Sequence, residues 1–302
     1  MWILPELESI RTPFLDFLML NASRLGEEVV FAVVILGSLW CLNKRAGFWM
    51  FFSWGGDISL SQLAKAATAV PRPWVRDPSI HPVEKALPAA TGYSFPSGHT
   101  QSALGLFGSM SVFVKRWWVT IVSVVLVLFT GFSRMYLGVH TFEDVVGAMA
   151  IGIILVALMG WLASLEEKHP WITWVAGGLL TAFSAVTLIY GLVRLPEDPA
   201  MTETIENGWK MVGASIALLF AWQADRYWLH FRTDAVWYAQ LGKFAVGALV
   251  ALGIMKGLKQ PLLTLFGGSL AAHGLRYFLL ALFAGVLWPM TFEWWAKLGR
   301  KK

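Results

Sequence analysis

Residues 101–134 read QSALGLFGSMSVFVKRWWVTIVSVVLVLFTGFSR. Two apolar arms are joined there by one basic pair, Lys115 and Arg116. Each arm holds roughly 15 to 18 residues, about 22 to 27 Å as α-helix. Such a hairpin leaves one face of a membrane and returns to it, its bend slightly sunk into the bilayer. Whatever precedes Gln101 therefore meets whatever follows Arg134.

The surrounding sequence agrees with a membrane setting. Of 302 residues, 57% are hydrophobic, only 14% are charged and 17 are Trp, far from the usage of soluble domains. The fold class expected is all-α, a polytopic transmembrane helix bundle. Segments near 24–43, 47–69, 101–115, 117–134, 142–165, 171–193, 207–226, 237–258 and 272–296 come close to the ~20 apolar residues that a span needs. About nine spans are expected, within a single transmembrane domain over 1–302, because no polar stretch is long enough to fold by itself. The N-terminus lacks a basic region followed by a clean apolar run and cleavage site, so it is expected to be retained as an interfacial amphipathic helix.

The net charge of +5 could suggest nucleic acid, but the basic residues sit in short loops between apolar spans. There they act as an orientation signal, and no nucleic-acid partner is expected. Lys44, Arg45, Lys115, Arg116, Lys168, Arg226, Arg232 and the tail Lys297, Arg300, Lys301 and Lys302 share one side of the nine-span arrangement, expected to be cytoplasmic. The N-terminus, the loop 70–100, the bend 135–141 and the acidic loop 195–207 then face outward, with the C-terminus cytoplasmic. Arg72, Arg76 and Lys85 break this asymmetry, and a functional role for those cations would resolve the conflict. The single cysteine, Cys41, excludes an intrachain disulfide and a cysteine-based metal site.

Three polar runs lie on the outward side. KAATAVPRP, residues 65–73, brings Lys65 and Arg72 to one membrane face, where snorkelling toward headgroups would explain them if they stood alone. FPSGH, residues 95–99, offers the Ser97 hydroxyl, unobstructed amides around Gly98 and the His99 imidazole at the start of a helix. That is an anion site or simply a turn with a cap. SRMYLGVHTFEDVVG, residues 133–147, ends one helix with Arg134 and places His140 and Asp144 four apart. If helical, those two share a face, and Asp144 can accept the imidazole N–H. A carboxylate compensating a helix dipole beside a bystander histidine is the other reading. The hairpin brings the three runs together, and embedded charges each cost about 2.5–3.5 kcal/mol to insert. An anion, phosphate above all, would account for them.

The combined spacing K-x6-R-P, P-S-G-H and S-R-x5-H-x3-D resembles the three signature motifs of the type-2 phosphatidic acid phosphatase superfamily. The resemblance covers roughly 47–165, which it implies is the catalytic core, with 171–302 as accessory C-terminal helices. It implies a metal-independent phosphatase without a cofactor, working through a phosphohistidine. By that likeness His140 attacks phosphorus, Asp144 orients it, and His99 protonates the leaving oxygen and then assists water. Lys65, Arg72, Ser97, Gly98 and Arg134 would bind the phosphate oxygens. The nine-span layout is similar to the glucose-6-phosphatase, dolichyl-diphosphatase and sphingosine-phosphate phosphatase branches. The substrate expected is a phosphorylated lipid, monoester or diphosphate; a soluble sugar phosphate, or a transporter or lipid binder with a relic phosphate site, are the alternatives.

The loop 74–95 is either a structural lid or a selectivity element, the latter through Trp74, Arg76 and Tyr93. Asp57, inside the second span, is expected to pair with a cation. His273 and Arg276 are expected at a solvated interface.

Overall fold

A computed structural model describes residues 1–298, and no strand is present among the described residues. Arg300, Lys301 and Lys302, expected on the cytoplasmic side, lie outside them. The chain opens with α1 (Leu4–Ser9), α2 (Pro13–Ser23) and α3 (Glu28–Gly37), the last running into a π-helical turn over Ser38–Leu42. Then come α4 (Lys44–Thr68) and a long loop carrying the short α5 (Pro73–Arg76). The first hairpin arm is α6 (Gly98–Ala103), a π-helical turn Leu104–Gly108 and α7 (Ser109–Val114); the second is α8 (Trp117–Tyr136). α9 (Phe142–Glu166), α10 (Ile172–Arg194) and α11 (Met201–Ala224) precede α12 (Trp237–Gly257), α13 (Lys259–Leu265), α14 (Ala271–Leu282) and α15 (Phe292–Lys297).

Local chemistry sets the helix ends. Thr12 caps α2, its Oγ1 accepting from the Leu15 amide at 3.2 Å, with Pro13 in the first turn. Asn43 caps α4 through the Ala46 amide at 3.1 Å. That helix stops at Ala69, which turns left-handed at φ 46° and returns its N–H to the Lys65 carbonyl at 2.9 Å.

The nine expected apolar segments are all helical, but not all are built as simple spans. Five helices are long and apolar enough to cross a membrane: Trp117–Tyr136, Phe142–Glu166, Ile172–Arg194, Trp237–Leu265 and Ala271–Lys297. A pair bent by 52°, Pro13–Gly26 and Glu28–Leu42, would make a sixth. The nine-span count is therefore not reproduced by length and hydropathy. Polar residues interrupt α4, which holds Asp57 and Lys65, and α11, which holds Glu203, Glu206 and Lys210. The first arm of the hairpin is short. The protein is a multi-pass all-α bundle in which those polar helices are packed inside.

The helices that carry the three motifs and the C-terminal helices share one core. Phe52 of α4 stacks on Trp222 of α11 at 5.6 Å and 11°, while Trp49 meets the same indole edge-on at 5.5 Å. Leu155 and Met159 of α9 and Ala176 and Leu180 of α10 complete that cluster. α11 and α14 touch backbone to backbone: a Cβ on Gly213 would lie 2.0 Å from the Gly274 carbonyl oxygen.

Two expectations are corrected. Among the described residues Asp57 pairs with no cation; its Oδ1 accepts from the Gln101 amide at 3.3 Å, and the backbone it packs against is that of Gly105 and Gly152. His273 and Arg276 are not at a solvated interface but 4% and 6% exposed. The close α11–α14 contact encloses them, with His273 Nε2 3.9 Å from Glu206 and the Arg276 guanidinium over the Tyr277 ring.

At the end of α4 away from Lys65, Glu166 of α9 takes Arg226 at 2.6 Å and Arg45 at 2.9 Å, and Lys44 takes Asp225 at 2.8 Å. These cations, expected on one side, do share one face. Removing the nearly buried Glu166 carboxylate takes the shared anion from two guanidinium groups, leaving Arg45 with Glu167 at 3.0 Å and Arg226 with the Pro170 carbonyl at 2.8 Å. Because Arg45 is 39% exposed, the loss falls below the ~3–5 kcal/mol of a fully buried pair. Glu166→Ala should lower the unfolding temperature in detergent by several degrees; an unchanged transition would show that the cluster adds nothing.

Candidate active site

The turn from α8 into α9 sets the site. The backbone N–H groups of Val139 and His140 both reach the Arg134 carbonyl, at 3.2 and 3.3 Å. Thr141 then starts α9 with a capping box: its Oγ1 accepts from the Asp144 amide at 3.3 Å, and Asp144 Oδ2 accepts from the Thr141 amide at 2.8 Å. His140 therefore precedes the helix instead of sharing a helical face with Asp144. The two meet because the cap folds the carboxylate back, leaving His140 Nδ1 3.4 Å from Asp144 Oδ2, outside hydrogen-bond geometry. Asp144 thus serves the helix start, as the second reading has it, and faces the histidine without accepting its N–H. Ser94 fixes the same oxygen, donating to it at 2.6 Å.

Arg72 ties the remaining loops to this turn. Its Nε donates to the Gly92 carbonyl at 3.0 Å, Nη2 to the Thr91 carbonyl, and Nη1 to the Val139 carbonyl at 3.1 Å and to His140 Nε2 at 2.9 Å. Arginine cannot accept, so Nε2 must hold its lone pair toward Arg72, and the ring proton is assigned to Nδ1 on the Asp144 side. Burial, reinforced by Arg72, Arg134 and Lys65, keeps the His140 imidazole well below the ordinary histidine range. It is thus neutral at pH 7, with its unprotonated nitrogen on the cation side. Burial also brings Arg72 down to about 10, still charged.

A cavity of about 190 Å³ opens beside Nε2, and Lys65, Arg72, Gly98, His99 and His140 line it. The Lys65 side chain is only 6% exposed, and among the described residues its ammonium makes no hydrogen bond or ion pair. His99 Nε2 is buried and likewise unpartnered among the described residues. A Cβ on Gly98 would stand 3.7 Å from Lys65 Nζ, so glycine keeps the approach to the ammonium open. A cation and an imidazole nitrogen without partners are expensive in a buried setting, and an oxyanion in the cavity would satisfy both.

The other singled-out residues lie around this centre. The Ser97 hydroxyl is shared with Thr100 at 2.9 Å, while the Ser97 amide docks on the Asp144 carbonyl at 3.0 Å. Arg134, 1% exposed, sits behind the cavity, bonded to Ser23 at 2.7 Å and to the Ala89 carbonyl at 3.3 Å, with Nε free among the described residues. Trp74 lies 6.0 Å from the Arg72 guanidinium. Tyr93 donates to Asp198 in the α10–α11 loop, and Arg76 is exposed. Trp74, Arg76 and Tyr93 are not among the residues lining the cavity.

Sequence reasoning missed Glu203 of α11, which lines the cavity and whose charge acts on both Lys65 and Arg72. Its Oε1 accepts from Gln62 at 3.3 Å, and its Oε2 is buried and unpartnered among the described residues. No spacing links Glu203 to the three motifs; its signal in the sequence is its place in the acidic run 195–207, expected to face outward. Gly26, before any motif, lines the cavity as well.

Two family descriptions match the chain: "PAP2 superfamily" over residues 46–168 and "PAP2 superfamily phosphatase, transmembrane extension" over 209–300. Among similar proteins is a probable sphingosine-1-phosphate phosphatase of Dictyostelium discoideum, 29% identical over 250 residues, covering 76% of this chain and 57% of that protein. The chain thus spans little more than half the length of that relative. Phosphatidylglycerophosphatase B of Bacillus subtilis is 27% identical over 163 residues, 50% of this chain and 76% of its own. Undecaprenyl-diphosphatase BcrC of the same organism is 36% identical over 85 residues, 28% and 41% of the two chains. No solved structure matches the chain.

A tetrahedral oxyanion should enter the cavity. At a hundredfold excess over its dissociation constant, orthovanadate would add about 2.7 kcal/mol to stability. It should raise the unfolding temperature of the wild type and not of Arg72→Ala; equal shifts in both would place anion binding elsewhere.

Proposed function

Because the chain belongs to the PAP2 superfamily, we propose that it is a membrane phosphatase hydrolysing monoesters or diphosphates of lipids through a phosphohistidine. The observation that carries this reading is the pair of partnerless groups in the cavity, the Lys65 ammonium and His99 Nε2, beside a neutral His140 whose Nε2 faces Arg72. The named activities of the relatives, all on lipid phosphates or diphosphates, agree with it.

In the proposed reaction the substrate phosphoryl group takes the cavity between Lys65, Arg72 and the Gly98 amide, and Arg72 exchanges His140 Nε2 for a phosphate oxygen. The Nε2 lone pair forms the N–P bond as the P–O bond to the leaving group breaks. His99, held well below the ordinary histidine range by burial and by Arg134, His140, Lys65 and Arg72, takes a proton from the entering monoanionic phosphate and gives it to that oxygen. Asp144 stabilises the charge that develops on the His140 ring, 3.4 Å away. Water then attacks phosphorus while neutral His99 takes its proton, the N–P bond breaks, and inorganic phosphate leaves. Lys65, Arg72 and, from behind, Arg134 offset the charge on the phosphoryl oxygens, so the chain's own cations do the electrostatic part of the catalysis. Ser97, bonded to Thr100, contributes through the shape of the loop that presents Gly98 and His99.

The site is proposed to face outward, with the N-terminus outside and the C-terminus cytoplasmic. The support is positional: Lys44, Arg45 and Arg226 gather on the face at the other end of α4 from Lys65.

Phosphate release from a lipid monophosphate, a lipid diphosphate and a sugar phosphate tests the activity. Wild type should act on a lipid substrate and retain activity in EDTA, whereas His140→Ala and His99→Ala should each lose at least about 10²-fold. Full turnover by His140→Ala would end the phosphohistidine reading. For orientation, Pro88→Cys should react with an impermeant thiol reagent in intact cells; labelling only after the membrane is opened would reverse the topology.

A further inference from the structure

We propose that the segment preceding the matched catalytic region, through Ser23 and Gly26, positions two residues of the active site and so is part of the catalytic machinery. This rests on the phosphatase reading above.

Neither residue belongs to residues 46–168 or 209–300, the spans over which the two family descriptions match. Ser23 ends α2, 5% exposed, and its hydroxyl accepts from Arg134 Nη1 at 2.7 Å. Arg134 has one other protein partner, the Ala89 carbonyl at the longer distance of 3.3 Å. Ser23 therefore supplies the shorter of the two contacts that fix the plane of this guanidinium. Arg134 lies behind the cavity with Nε unpartnered among the described residues, so where its charge falls relative to a phosphate there depends on that plane being held.

Gly26 acts on the other half of the site. A Cβ there would lie 2.6 Å from the His99 carbonyl oxygen, 2.7 Å from His99 Cβ and 2.8 Å from His99 Cα. All three atoms are backbone or next to it, so no side-chain rotation could make room. The turn Arg24–Gly26 thus lies against the first turn of α6, and Gly26 is both cavity wall and backstop for His99.

The same segment is pinned to the His140 turn. Arg11 donates from Nε and Nη2 to the Tyr136 carbonyl at 3.1 and 2.9 Å, and Tyr136 donates its hydroxyl to Asp16 at 3.0 Å. These bonds join α2 to the end of α8, four residues before His140. A displacement of the segment would move Arg134 and His99 relative to His140, and a misplacement of ~1 Å can cost about 10²-fold in rate.

The test measures kcat, KM, orthovanadate affinity and unfolding temperature for Ser23→Ala, Ser23→Thr and Gly26→Ala, in the full-length protein with a lipid phosphate. Ser23→Ala should lower kcat by about tenfold or more, with a smaller change in KM, and weaken orthovanadate. Its unfolding temperature should stay within a few degrees of wild type, and Ser23→Thr, which keeps the hydroxyl, should recover most of the loss. Gly26→Ala should lower kcat further. Wild-type kcat in Ser23→Ala would overturn the inference, and so would activity that falls only in proportion to folded protein, since that marks a merely structural role. If wild type itself releases no phosphate from any substrate, the phosphatase reading fails instead.

Discussion

One carboxylate oxygen holds the site together. Asp144 Oδ2 accepts from the Thr141 amide at 2.8 Å, accepts from Ser94 at 2.6 Å and stands 3.4 Å from His140 Nδ1. The first contact starts α9, the second anchors the end of the long loop, and the third puts a carboxylate beside the ring nitrogen to which the proton is assigned. Capping is worth about 1 kcal/mol, which is modest. Its structural effect is larger, because the geometry of a helix start becomes the geometry of a candidate nucleophile. At that one atom the start of α9, the His140 turn and the end of the long loop at Ser94 come together.

Around that atom the protein concentrates charge that a bilayer disfavours. Lys65, Arg72 and Arg134 are nearly buried, with Asp144 and Glu203 as the nearby anions. Placing such charges at membrane depth costs about 2.5–3.5 kcal/mol each on insertion scales. The helices carrying them are sheltered accordingly: α4 lies inside, covered by α9, α10 and α11, and the apolar helices face outward. The C-terminal helices thus do more than anchor the chain. They enclose α4, which is too polar to meet lipid, and through Glu203 they put a carboxylate beside the cations.

Much of this was legible in the sequence. Composition and the length of the apolar runs gave a helical membrane bundle, and the hairpin 101–134 predicted which polar runs meet. Lys65, Arg72, Gly98, His99 and His140 do surround one cavity. What the sequence hid depends on packing. Span counting treats every apolar run alike, whereas α4 and α11 mix apolar and polar faces that only a surrounding bundle can accept. Asp57 and Arg276 were misread because a sequence does not say which neutral amide, carbonyl or ring will enclose a charge. Glu203, Ser23 and Gly26 reach the site across helix contacts between segments far apart in the chain, and no local spacing encodes those.

The central claim is that His140 Nε2 bonds covalently to phosphorus. Rapid acid-free quenching of the protein with a ³²P-labelled lipid phosphate should trap label that is stable in alkali, lost in acid and confined to a peptide containing His140. His99→Ala should still take up label if the leaving group needs no proton. A phosphoenzyme at another residue, or turnover with no label trapped on His140 under any quench, would contradict the account.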